Sequence, residues 1–135
     1  MRGEGLDLYQ YESDTELIHK INSMELKAWI ANLHFIRKEL SKIIEICVQQ
    51  FKEKSSFIEV GKKFEKKEVE NENILKALNG YSNNRSIISE CDNLHCDMAF
   101  IREHEMYRKS YVYHLEKYWN LKEDFYNRLK DSLVG

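Results

Sequence analysis

Glu16 and His19 stand in Glu-x-x-His spacing, which puts a carboxylate and an imidazole on one helix face and builds di-metal centres in helical bundles. Asp92 and His95 repeat the spacing with a shorter acid, and His104 with Glu105 adds another pair of the same donor types. Drawn together at one end of a bundle, Glu16, His19, Asp92, His104 and Glu105 would hold a metal ion or a small polar ligand. A di-iron centre needs two further glutamate-bearing helices, which the chain lacks. The simpler reading of the same residues, with Asn22, Arg85 and Arg108 beside them, is a hydrogen-bonded polar layer that fixes helix register and partner choice.

The remaining candidates for chemistry are weaker. Cys91, His95 and Cys96 are zinc-ligand types, but no second ligand pair at regular spacing accompanies them. Free cysteines near a helix junction are expected there. Tyr107, Tyr111 and Tyr118 with His104 and His114 could wall a pocket, although tyrosine equally fills core space while its hydroxyl reaches the rim. Cys47 falls on an apolar stripe, where a thiol is a small hydrophobe, and no cysteine or serine has a neighbouring base that would make it a nucleophile. There is no glycine-rich phosphate loop. No catalytic residue is assigned and no cofactor is expected.

The elements that must position these residues are helices. The 135 residues include no proline and only 5 glycines, so both helix breakers and tight-hairpin formers are scarce. Leu26, Trp29, Leu33, Ile36, Leu40, Ile43 and Cys47 recur at alternating steps of three and four, a narrow seam that calls for partner helices along its length. Ser13 with Glu16, and Ser56 with Glu59, have capping-box spacing and predict two helix starts. An all-α, up-down-up bundle of three long helices follows, over about 14–52, 57–92 and 98–131. Helix 2 is kinked or broken near 80–84, where Gly80, Ser82, Asn83 and Asn84 cluster. Its stretch from Lys62 to Asn73 is almost wholly polar and reads as a solvated face. Residues 1–12 form a flexible arm that docks through Leu8, Tyr9 and Tyr11, and residues 13–135 form one domain.

Part of the pattern resembles a group of small bacterial α-helical proteins. Trp29, Leu33, Phe35, Arg37, Glu39 and Leu40 are similar to that group's W-x-x-x-L-x-F-x-[KR]-x-E-L run. Ile101, Arg102, Glu103, His104 and Arg108 are similar to its F-[KR]-[DE]-H-x-x-x-R, and Tyr118, Leu121 and Phe125 make a third match. The group carries no assigned activity, so the resemblance implies a helical fold and no function. The chain departs from it at Gly80 to Asn84.

With short links, helices 1 and 3 run parallel, and an offset of about 85 residues pairs Leu33 with Tyr118 and Leu40 with Phe125. The same offset sets His19 beside His104 and Trp29 beside His114, while helix 2 brings Leu78 to Trp29. A net charge of -2 and a pI near 6.2 argue against nucleic acid as the partner, and no apolar run is long enough for a membrane. Three cysteines, an odd number, suggest free thiols and the cytoplasm. The function expected is a non-enzymatic interaction or assembly module, a homodimer, because three helices cannot bury Ile30, Phe35, Ile44, Phe51, Val112 and Trp119 together. The alternative is a small-ligand or metal-binding bundle that uses the end cluster.

Overall fold

The computed structural model describes the backbone of residues 2–134 and the side chains of residues 13–133. Three long helices, α1 (Arg2–Glu45), α2 (Ser55–Asn84) and α3 (Leu94–Val134), make up nearly all of it. Among the described residues there is no strand. The docking expected of Leu8, Tyr9 and Tyr11 lies outside the described side chains. Polar contacts fix the topology: Asn71 of α2 donates to the Leu33 carbonyl of α1 at 3.0 Å, and Arg85, just past α2, donates to the His19 carbonyl at 2.7 Å. Later residues of α2 therefore meet earlier residues of α1, whereas α3 runs parallel to α1 and pairs with it 79 residues on. The bundle is up-down-up.

The α1 seam is the core. Leu26, Trp29, Leu33, Ile36, Leu40, Ile43 and Cys47 are all buried, and they meet Phe57, Val60, Phe64, Leu75, Leu78 and Tyr81 of α2 and Tyr111, Tyr118 and Phe125 of α3. Steps of three and four keep these side chains on one face of each helix, so three stripes close on one another. Phe125 takes the edges of Phe57 and Phe64, with ring centroids 6.1 and 5.6 Å away. Where α1 ends in a wide π turn (Ile46–Gln50), Gly61 of α2 lies against Cys47. A Cβ on Gly61 would stand 3.1 Å from the Cys47 Cβ, so the absent side chain permits the close approach.

Several expected boundaries are corrected. The helix already runs through Ser13, so Ser13 and Glu16 do not mark its start. Helix α2 is capped by Lys54 without a side-chain hydrogen bond, and Ser56 instead accepts from Arg128 of α3 at 2.9 Å. Gly80 does not interrupt α2, which continues to Asn84 and tightens into a 3-10 helix (Arg85–Glu90). The polar middle of α2 is not wholly solvated either. Lys67 and Asn71 carry the stripe between Phe64 and Leu75 and are themselves buried.

The cysteines at the α2–α3 junction are not free. Cys91 and Cys96 form a disulfide across the link, with Cα atoms 5.5 Å apart, and Cys47 alone keeps a thiol. Burial pushes that thiol's pKa up, as befits an inert core position.

The register of α3 also differs from expectation. An offset of 79 in place of 85 slides α3 by about 9 Å at roughly 1.5 Å per residue, so Trp29 meets His104 and Tyr111, not His114. Its ring stacks on theirs at 4.8 and 5.2 Å. Replacing Trp29 by alanine should cost about 3–5 kcal/mol through lost burial and an unfilled cavity. Chemical denaturation measures this, and a midpoint close to wild type would show that the ring carries no core load.

Candidate functional site

The polar residues that face the core form a chain of defined direction. His104, fully buried on α3, is held at both ring nitrogens. Its Nε2 lies 2.7 Å from Glu25 Oε1 on α1 and its Nδ1 lies 2.6 Å from the Tyr81 hydroxyl on α2. A carboxylate only accepts, so Nε2 carries the hydrogen and donates to Glu25, leaving Nδ1 to accept from Tyr81. The tyrosine oxygen in turn accepts from Arg85 Nη1 at 2.9 Å, and Arg108 donates to both Glu25 oxygens at 2.5 and 3.2 Å. Every link is satisfied with His104 neutral.

The charge states follow. Burial lowers the His104 pKa and outweighs the Glu25 carboxylate, which pulls the other way. Burial raises the Glu25 pKa, but hydrogen bonds from Arg108 and His104 together hold it below the ordinary carboxylate value. Burial raises the Tyr81 phenol, against the opposing pull of Arg85. A carboxylate, an imidazole and a hydroxyl in series are the elements of a proton relay. Here the hydroxyl belongs to a side chain only 1% exposed and the imidazole is sealed, so no reacting group reaches them. The arrangement joins three helices at one level.

Of the predicted cluster, the structure brings together a part. His19 Nε2 lies 2.8 Å from Asp97, and its carbonyl accepts from Arg85, so His19 and His104 occupy one end and are linked through Arg85 and Tyr81. The carboxylates are not the expected ones. Glu16 and Asp92 are exposed and take no part in this chain; Asp92 accepts from its neighbour Asn93. Glu105, also exposed, pairs with Arg108 and so joins at second hand. The acids that matter are Glu25 and Asp97. His19 Nδ1 is buried without a hydrogen-bond partner among the described residues. No group of three or more His, Cys, Asp or Glu side chains among them is placed to hold a metal ion.

A signal for Glu25 does exist in the sequence. Glu25, Asn32 and Glu39 on α1 stand at heptad spacing, as do His104, Tyr111 and Tyr118 on α3. The structure pairs them rung by rung: Glu25 with His104, Asn32 with the Tyr111 hydroxyl at 2.7 Å, and Glu39 with the Tyr118 hydroxyl. Arg108 and Lys122, each one turn beyond its rung, close on Glu25 and Glu39, the latter at 2.7 Å. Burial opposes ionisation of Glu39, but Lys122 and Tyr118 hold its pKa below the ordinary value. A separate buried unit lies towards α2. The Asn71 amide donates to Leu33, which leaves its oxygen to accept from His114 Nε2 at 2.8 Å.

Open pockets lie along the outer grooves. One runs past Cys47, Phe57 and Gly61, and another past Lys67, Glu70, Tyr113 and His114; neither opens onto His104. Set against protein-family models, curated proteins and solved structures, the chain has no match.

Two outcomes test this account. Tyr81→Phe leaves the His104 Nδ1 without its donor in a buried site and should destabilise the fold by about 1–3 kcal/mol; an unchanged denaturation midpoint would show that this bond does not hold the helices together. His114 is held neutral, its pKa lowered from 6.5 to about 4 by burial first and then by Lys67, against a smaller opposing pull from Glu70. The unfolded chain therefore binds a proton at higher pH than the folded one. The stability from His114 is complete above pH 6.5 and is lost as pH falls towards about 4, a loss of roughly 3 kcal/mol. Denaturation measured across that range should show the fall, and His114→Gln should flatten it.

Proposed function

We propose that the protein is a non-enzymatic assembly module that works by presenting an apolar helical face to another protein chain, as a homodimer. The observation that carries this reading is the set of large apolar side chains left outside the core. Leu17, Ile21, Met24 and Phe35 on α1 and Val112 and Trp119 on α3 are all exposed. Scattered exposed hydrophobes are ordinary, but rows of them along two helices are what docking surfaces offer. The polar chain supports the same reading, because the donors and acceptors of Glu25, Tyr81 and His104 are engaged in joining helices.

The same considerations support a protein partner over other classes. Among the described residues no helix is long and apolar enough to cross a membrane. The net charge of -2 offers no general attraction to nucleic acid. The metal or small-ligand alternative draws no support from Glu16 and Asp92, which stand apart from His104. The proposal carries no compartment: a bonded Cys91–Cys96 pair suits an oxidising one, against the cytoplasm that an odd cysteine count suggested.

Sedimentation equilibrium from low micromolar to tens of micromolar should show a dimer. A monomer throughout that range would overturn self-assembly.

A further inference from the structure

The outer face of α1 carries a second seam. Leu17, Ile21, Met24, Ala28, Ala31 and Phe35 follow one another at steps of four and three, and every one of them is exposed. At about 100° per residue they form one stripe, roughly 60° round the helix from the Glu25–Asn32–Glu39 row and on the side away from α2. It spans about 27 Å of helix at roughly 1.5 Å per residue. Asp14 and Lys38 continue the same stripe at its two ends, and both are exposed. A three-and-four repeat of this length is the pattern of a helix–helix contact.

Resting on the assembly reading above, we propose that this stripe pairs with its own copy on a second chain, the two α1 helices running antiparallel about a two-fold axis level with Leu26. The choice of occupant comes from self-complementarity. A two-fold contact requires that if one residue meets another, the second meets the first across the axis. Centred at Leu26, the operation sets Leu17 against Phe35, Ile21 against Ala31 and Met24 against Ala28. Large side chains thus face small ones at the centre, where the helices must approach most closely, and the two largest close the ends. Beyond them Asp14 meets Lys38, opposite in sign, and the symmetry supplies that pair twice.

A parallel pairing fails on the same residues. It would set Asp14 against Asp14 and Lys38 against Lys38, and would leave Ala28 and Ala31 facing themselves across a gap. The antiparallel arrangement has two like-charge approaches: Lys27 towards its own copy at the exposed edge of the stripe, where ions screen it, and Glu25 towards its own copy at the other edge, where Arg108 already pairs with it. Val112 of α3, one turn after Arg108, shares the flank of α3 from which Arg108 reaches Glu25 of α1.

The full chain tests this by sedimentation equilibrium, with far-UV circular dichroism and thermal melting as controls for folding. Ala28→Lys should raise the dimer dissociation constant on the order of a hundredfold, as expected for a charge at the packed centre of an interface, while helicity persists. Asp14→Lys alone should weaken the dimer by about tenfold, and Asp14→Lys with Lys38→Asp should restore it. A wild-type dimer that survives Ala28→Lys overturns this surface and leaves the assembly reading standing on another face. Equal dimerisation of the single and double charge variants overturns the antiparallel register. A monomeric wild-type chain overturns both proposals, and would assign the stripe to a different protein. Should Ala28→Lys lose helicity, the two charge variants, which touch no core residue, decide the matter.

Discussion

Burying His104 constrains the rest of the bundle. An imidazole with no solvent contact must find one acceptor and one donor, and an unmet need of either kind costs a sizeable part of a small domain's stability. Each of the other two helices supplies one partner: Glu25 from α1 accepts and Tyr81 from α2 donates. Those partners need partners of their own, which is why Arg108 stands behind Glu25 and Arg85 behind the Tyr81 oxygen. The direction of every hydrogen bond is then forced. Protonating His104 would leave it with two donors, one of them facing a hydroxyl that Arg85 already turns towards it.

This constraint sets register, which apolar packing alone does not. Stripes of leucine, isoleucine and tyrosine repeating every three and four residues can slide past one another and still bury much the same area. The polar rungs cannot. Moving α3 by one heptad in one direction would bring Asp97 level with Glu25, acid against acid. Moving it the other way would put Tyr111 beside Glu25 and set the Phe125 ring against Glu39. Of these three, only the observed register gives both half-buried carboxylates, Glu25 and Glu39, a donor, and Arg108 and Lys122 then fall one turn beyond their rungs. Buried polar groups of this kind add little net stability, and their best-attested role is to select one arrangement among several.

The same physics separates what was legible in the sequence from what was not. The seam from Leu26 to Cys47 and the up-down-up order of three helices could be read from periodicity and the lack of breakers, and the structure shows both. The α1–α3 register is not legible from apolar matches: an offset of 85 sets at least as many hydrophobes level as 79 and puts His19 beside His104, whereas in the structure His19 meets Asp97 and His104 lies about two turns further along α3. Glu25 is hard to read from the sequence because it flanks the apolar stripe by one position, where an acid normally faces water. Only its heptad relation to Asn32 and Glu39 marks it out. Lys67 and Asn71 misled in the opposite sense, since a polar run hides two residues that take core positions. The Cys91–Cys96 bond closes the link just after the 3-10 helix (Arg85–Glu90), and residue types at that spacing do not specify it.

Where function resides follows from what the core has already used. Glu25, His104 and Tyr81 have the order of an acid, a base and a hydroxyl, yet catalysis needs a group that can meet a substrate and exchange a proton with it. Tyr81 and His104 are sealed, and their protons are committed to neighbours within the fold. The Glu39, Tyr118 and Lys122 rung repeats the same economy, with the phenol donating to a carboxylate that a lysine also holds. Within this core Glu25, Tyr81 and His104 are turned towards one another. What it offers is rigidity, three helices locked in one register. On such a frame an apolar stripe along α1 keeps a fixed shape, and in the proposed dimer the partner helix would not need to order that surface as it binds.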